Sequence, residues 1–162
     1  TRITILETLS TLPHLQTLNV SKNLLSNADA LRELTQCTSL SSVDLSHNSL
    51  DGEEVIDVLA EVPNLVSTNM VGNAVANIPQ FRKKMISRIR RLGYMDRPVF
   101  EGERLAAEAW AVGGREAEIE ARENFRAAQR KKEQDERRAF REWKQQKIEE
   151  HRLRWEAQAQ AQ

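Results

Sequence analysis

Apolar and polar positions return at a fixed interval of 25 residues through the first 75 residues of the chain. Leu15, Leu40 and Leu65 open the segments LQTLNVSKNLL, LSSVDLSHNSL and LVSTNMVGNAV, and Asn23, Asn48 and Asn73 each follow eight positions later. In the first segment Leu18 and Val20 are two apart, which places both on the core side of a short strand, with Thr17, Asn19, Ser21 and Lys22 facing outward. The asparagine stands where the chain turns off the strand, and its amide can satisfy backbone groups that have left the ladder. The remaining half of each unit also repeats: Leu6, Leu31 and Ile56 share one register, Leu9, Leu34 and Leu59 a second, and Leu12, Cys37 and Val62 a third. Apolar residues spaced by three suit one face of a short helix of about two turns.

The three segments fit L-x-x-L-x-L-x-x-N-x-L, with Val43, Thr68, Met70 and Val75 among the substitutes. A period of this size with this pattern is that of a leucine-rich repeat. The predicted fold is therefore an α/β solenoid, a strand plus a short helix per 25-residue repeat, over residues 1–77. Carried backward, the register places Thr1 in the middle of an earlier unit, with Ile3 and Ile5 leading straight into a helical half. Because a solenoid unit cannot cover its own apolar face, the register predicts further repeats before Thr1, the alternative being a short irregular N-terminal cap.

After Val75 the periodicity changes. Residues 78–100 read as a C-terminal repeat cap: Phe81, Met85, Ile89 and Leu92 form a helical stripe that would close the last repeat. Tyr94, Val99 and Phe100 are expected to tuck against it, with turn chemistry at Asp96 to Pro98. Residues 101–114 read as a short helix ended by Gly113-Gly114. Residues 115–162 read as a long charged helix with a frayed tail, on the order of 60 Å long at 1.5 Å per residue. Its expected i,i+4 ion pairs are Glu118/Arg122, Lys132/Glu136, Glu133/Arg137, Arg138/Glu142 and Glu150/Arg154. Its apolar residues, Ile119, Phe125, Phe140, Trp143, Ile148, Leu153 and Trp155, sustain no heptad, which argues against a long coiled coil.

Charge changes the picture in one place. Lys and Arg balance Asp and Glu at 24 each, so net charge makes no case for a nucleic-acid partner. The cap stripe, however, carries Arg82, Lys83, Lys84, Arg88, Arg90 and Arg91 without an intervening acid. The ordinary reading is a solvated helix face with cations toward its C-terminal end, where the helix dipole favours them. The functional reading is a patch for an acidic partner. A lone cysteine allows no internal disulfide and favours a reducing compartment. No apolar run approaches a membrane span, and no phosphate loop, serine elbow or metal-ligand spacing of His14, His47 and His151 is found. The expectation is a non-enzymatic chain with no cofactor, no metal and no membrane contact.

The tract from VDLSHNSL to LVSTNMVGNAVANIPQFRKKMISRIRRLGYMDRPVFEGERLAAEAWAVGGREAE resembles the ciliary leucine-rich-repeat family of dynein axonemal assembly factors. Gly72-Asn73, Ile78 to Lys84, Tyr94 to Phe100 and Ala107 to Trp110 followed by Gly113-Gly114-Arg115 carry the likeness, the RPVF and EAWAVGG stretches most specifically. The resemblance implies a cytoplasmic factor for preassembly of axonemal dynein arms, without active-site residues. Thr68 and Met70 depart from the family's strand pattern, and a less regular third strand is expected there.

The resulting expectation is a protein-binding scaffold for axonemal dynein subunits or other dynein assembly factors and chaperones. Its concave face would bind through Thr17, Asn19, Lys22, Ser42, Asp44, His47, Ser67 and Asn69. Phe140, Trp143 and Ile148, aromatic or apolar on a charged helix, are candidate docking anchors or contacts with the chain's own solenoid. The alternative is a structural leucine-rich-repeat subunit of the cilium or flagellum axoneme, its basic cap meeting acidic microtubule tails. A third reading, RNA processing, rests on the basic run alone.

Overall fold

The structure is a computed structural model that describes residues 2–161. It contains two compact units, Thr1–Arg122 and Glu123–Gln162.

In the first unit, strands β1 (Thr17–Asn19), β2 (Ser42–Asp44), β3 (Ser67–Asn69) and β4 (Tyr94–Met95) pair in parallel, and β5 (Arg97–Pro98) turns back antiparallel to β4. The register follows the repeat: Leu18 opposite Val43, Val43 opposite Thr68, Thr68 opposite Met95. Thr68 and Met70 are buried and the third strand pairs in register, so the expected irregularity is absent from the backbone. It survives as a chemical defect, because the buried Thr68 hydroxyl has no hydrogen-bond partner among the described residues.

The asparagine ladder is built as the repeat demands. Asn48 Nδ2 donates to the carbonyls of Val20, at 3.0 Å, and Leu45, at 2.9 Å, while its Oδ1 accepts from the Leu25 amide. Asn73 does the same one repeat later, with the Leu45 and Met70 carbonyls and the Leu50 amide. Each side chain therefore ties one turn of the solenoid to the next, which an apolar residue cannot do.

The helical halves differ from expectation. Leu9–Thr11 and Asp29–Gln36 are 3-10 helices, and the third repeat forms the α-helix α1 (Glu54–Ala60). The reason lies in the spacing itself: positions three apart align on one face of a helix with three residues per turn. The third repeat adds Val55 and Val58 to Ile56 and Leu59, all buried, and so buries a wider face, as an α-helix permits.

The core is continuous from Leu6 to Ala107. Leu34, Leu40, Leu59 and Leu65 are at most 1% exposed, whereas their first-repeat equivalents Leu9 and Leu15 are half-buried and Leu12 is 52% exposed. At the other end α2 (Phe81–Arg88) closes the solenoid with Met85 and Ile86, followed by Ile89 and Leu92, all buried. Of the segment expected to tuck beneath it, Val99 is half-buried, but Tyr94 and Phe100 are exposed. Met95 fills that place, because Tyr94 and Met95 form a strand and its alternation sends Tyr94 outward.

Helix α3 (Glu101–Gln160) carries one non-helical residue, Gly114, with φ 71° and ψ −157°, a region open in practice only to glycine. Within the second unit the residues from Arg126 to Ile148 are exposed. Among the described residues no helix is long and apolar enough to cross a membrane.

Candidate partner-binding surfaces

The outward face of the sheet, the concave side of the expected solenoid, holds two rows set by strand register. Thr17, Ser42 and Ser67 form the first, and Tyr94 extends it. Asn19, Asp44 and Asn69 form the second. The structure thus brings together the strand residues selected from sequence and adds Tyr94, 47% exposed, which periodicity missed because its interval from Ser67 is no longer 25.

The second row is partly committed internally. Asn19 Oδ1 accepts from the Ser21 amide, at 3.0 Å, and from its hydroxyl, at 2.7 Å. Asp44 Oδ1 accepts from the Ser46 amide, at 2.9 Å, and its hydroxyl, at 2.6 Å. Asn69 Oδ1 accepts from the Val71 amide, at 3.1 Å. The side chain bonding its backbone two residues on is a turn-forming device of Asn and Asp. It explains why these types recur at that place.

Lys22 and His47 follow at the rim, both at positive φ (57° and 54°), with Gly72 at the same register position. A Cβ on Gly72 would stand 2.5 Å from His47 Nδ1, so this glycine supplies both the left-handed turn and the room for the imidazole.

The cationic run expected as a patch for an acidic partner is largely paired with acids of the same unit. Arg82 bonds Glu103, Asp96 and the Met95 and Pro98 carbonyls. Lys83 Nζ lies 2.6 Å from Glu118 and 5.7 Å from the centre of the Trp110 ring. Lys84 and Arg88 share Glu53, and Arg88 also reaches Asp57 at 3.1 Å. Arg91 bonds the neutral Asn64, and Arg90 makes no ion pair among the described residues. Among the described residues Arg90 and Arg91 are the two members of the run without an acidic partner. The acids come from sequence positions 14 to 35 residues away, beyond the reach of any local charge pattern.

These pairs shift the carboxyls. The Lys83 hydrogen bond, with help from Arg122, holds Glu118 below the usual carboxylate value, although its burial opposes this. Arg82 does the same for Glu103. Burial pushes the Cys37 thiol up, with the Glu33 charge adding to it. Arg104, which sequence reading also missed, donates to the Ile86 and Leu92 carbonyls and fastens the start of α3 to the cap. A groove of about 550 Å³ lies beside these contacts, with Met70, Phe81 and Met95 among its apolar lining.

In the second unit Phe140 and Trp143 stack at 5.7 Å between ring centres, and with Ile148 are more than half exposed. Ion pairs there run mainly i,i+3, Arg138 to Asp135 and Lys147 to Glu150 among them. Of the expected i,i+4 pairs only Glu118/Arg122, in the first unit, forms among the described residues.

Strand register, asparagine ladder and cap together define a leucine-rich-repeat protein. A solved structure of similar fold is a chain of the Drosophila melanogaster SNF/U2A' complex, with TM-score 0.62 and 25% identity over 74% of this chain and 70% of that one. The particular likeness is to dynein axonemal assembly factor 1. The Homo sapiens protein of that name is 41% identical over 104 residues, 63% of this chain and 14% of its own length. The homolog from Drosophila melanogaster is 38% identical over 123 residues, 75% of this chain and 8% of its own, and the Rattus norvegicus protein 42% over 104, 63% of this chain and 16% of its own. The chain thus spans less than a fifth of the length of these curated relatives. No protein-family model matches it.

Proposed function

We propose that this chain is a non-enzymatic protein-binding platform for the preassembly of axonemal dynein arms in the cytoplasm, serving the building and motility of cilia or flagella. The observation that carries this reading is the likeness to dynein axonemal assembly factor 1 over up to 75% of the chain. The sheet supports it as a surface, because parallel repeats stack outward-facing polar residues into continuous rows. The expected partners are axonemal dynein subunits or the factors and chaperones that assemble with them.

The test is a pull-down of axonemal dynein chains with Asp44→Arg and Asn69→Arg, which put long cations in the central row. Loss of dynein capture with the fold intact supports the platform; retention of every dynein-related partner overturns the concave-face assignment. Detergent extraction separates this from the axonemal-subunit alternative. A soluble pool fits preassembly, and a signal held on the extracted axoneme fits a structural subunit.

A further inference from the structure

The internal bonds of the central row leave it with a definite polarity. With Oδ1 accepting from both the amide and the hydroxyl of Ser21, Asn19 has only its Nδ2 donor to offer; Asn69 Oδ1 accepts from the Val71 amide alone, so Asn69 keeps its Nδ2 donor and one acceptor site. Asp44, bonded through Oδ1 to Ser46, has only acceptor capacity left. Among the described residues neither Asn19 Nδ2, Asn69 Nδ2 nor Asp44 Oδ2 has a hydrogen-bond partner, and no bond passes between the three side chains. Asp44 is half-buried and makes no ion pair there, and Lys22 at the rim does not reach it. Adjacent strands lie roughly 4.8 Å apart, so at that step the row presents a donor at Asn19, an acceptor at Asp44 and an amide with a free donor at Asn69.

We propose that this row selects its partner by polarity: Asp44 receives a lysine or arginine side chain, and Asn19 and Asn69 donate to acceptors flanking that cation. The occupant is a basic protein segment. Charge complementarity carries the choice, because Asp44 is the single acidic side chain in its row and, among the described residues, has no cation of its own. A partner that covered it with apolar or acceptor atoms would strip water from a carboxylate and return nothing. Flanking acceptors follow from the same rule applied to the two amides.

The inference deepens the platform reading and rests on it. Asp44→Asn is the discriminating change: an asparagine here can keep its Oδ1 on Ser46, as Asn19 does on Ser21, and present a donor outward instead. The full chain is applied to an array of overlapping peptides from axonemal dynein heavy and intermediate chains. Asp44→Asn is compared with Ser67→Arg, which obstructs the neighbouring row, and circular dichroism verifies the fold of both. Capture of segments bearing Lys or Arg, abolished by Ser67→Arg and weakened roughly tenfold or more by Asp44→Asn, is the expected result. If Ser67→Arg abolishes capture and Asp44→Asn leaves it unchanged, the polarity rule is overturned and the platform stands. If neither variant matters, or no segment is captured, both fall.

Discussion

Large apolar side chains occur in both compact units, yet they have opposite fates. In the first unit Leu31, Leu45 and Ile56 are fully buried; in the second Phe140, Trp143 and Trp155 are 61%, 53% and 69% exposed. The difference is one of period rather than residue type. An interval of 25 returns each leucine above its predecessor, so consecutive turns build one core. The intervals between Phe140, Trp143, Ile148 and Trp155 sustain no such stripe, and the helix around them is rich in charge. Its local stability comes from helix propensity and surface pairs worth only a few tenths of a kcal/mol each. A polar residue follows the same rule. Asn48 in the ladder bridges backbone groups of two repeats, while Gln146 reaches only Glu150 on its own helix.

The contrast is tested most severely in the buried core, where the expected loss is greatest. Leu59→Ala empties a fully buried position and is expected to cost about 2–5 kcal/mol in urea unfolding. Asn48→Ala should cost about 1–3 kcal/mol, since it strands the Leu25 amide and removes one of the two asparagine donors on each of the Val20 and Leu45 carbonyls. A loss under about 1 kcal/mol from Asn48→Ala would mean that the ladder is ornamental and that leucine packing alone sets the register.

Glu118 gives an intermediate effect. Its Lys83 bond is strong in type but partly solvated on the lysine side, so Glu118→Gln should cost about 1 kcal/mol at neutral pH. The sign with pH follows from its lowered pKa. The contribution is fully present above the ordinary carboxylate value and is lost as pH falls through the depressed one. Urea titrations of wild type and Glu118→Gln should therefore converge as the pH falls below roughly 4, and a gap that widens in acid would contradict the assignment.

The smallest effect is expected at Phe140 and Trp143. Replacing both by alanine should change the unfolding free energy of the first unit by less than about 0.5 kcal/mol, the range for exposed positions. If the pair is a docking anchor, the same double variant loses a bound partner in a pull-down. A drop in stability comparable to that of Leu59→Ala would show that these aromatics are covered by the protein itself.

Much of the fold is legible in the order of residues. The repeat marks the strands Thr17–Asn19, Ser42–Asp44 and Ser67–Asn69, the side of each that is buried, and the asparagines that leave them. The cap stripe at Met85, Ile89 and Leu92 is visible too. The fourth strand is not, because Tyr94 and Met95 depart from the interval of 25 and have a strand's geometry only when β3 lies beside them. Nor are the bonds from Asn19 and Asp44 to the residues two places on, although N-x-S and D-x-S at matching repeat positions carry the signal.

The sequence by itself determined the period, and through it the fold, since stacking identical turns is the direct way for a strand and a short helix to bury their apolar faces. Only the tertiary structure decided which charges remain available. Arg82, Lys83, Lys84 and Arg88 form one basic run along the chain, but folding carries Glu53, Glu103 and Glu118 to them and leaves Arg90 without an ion pair among the described residues. Hydrophobic burial follows a local pattern repeated along the chain; charge neutralisation depends on distance in space, which the linear order does not contain.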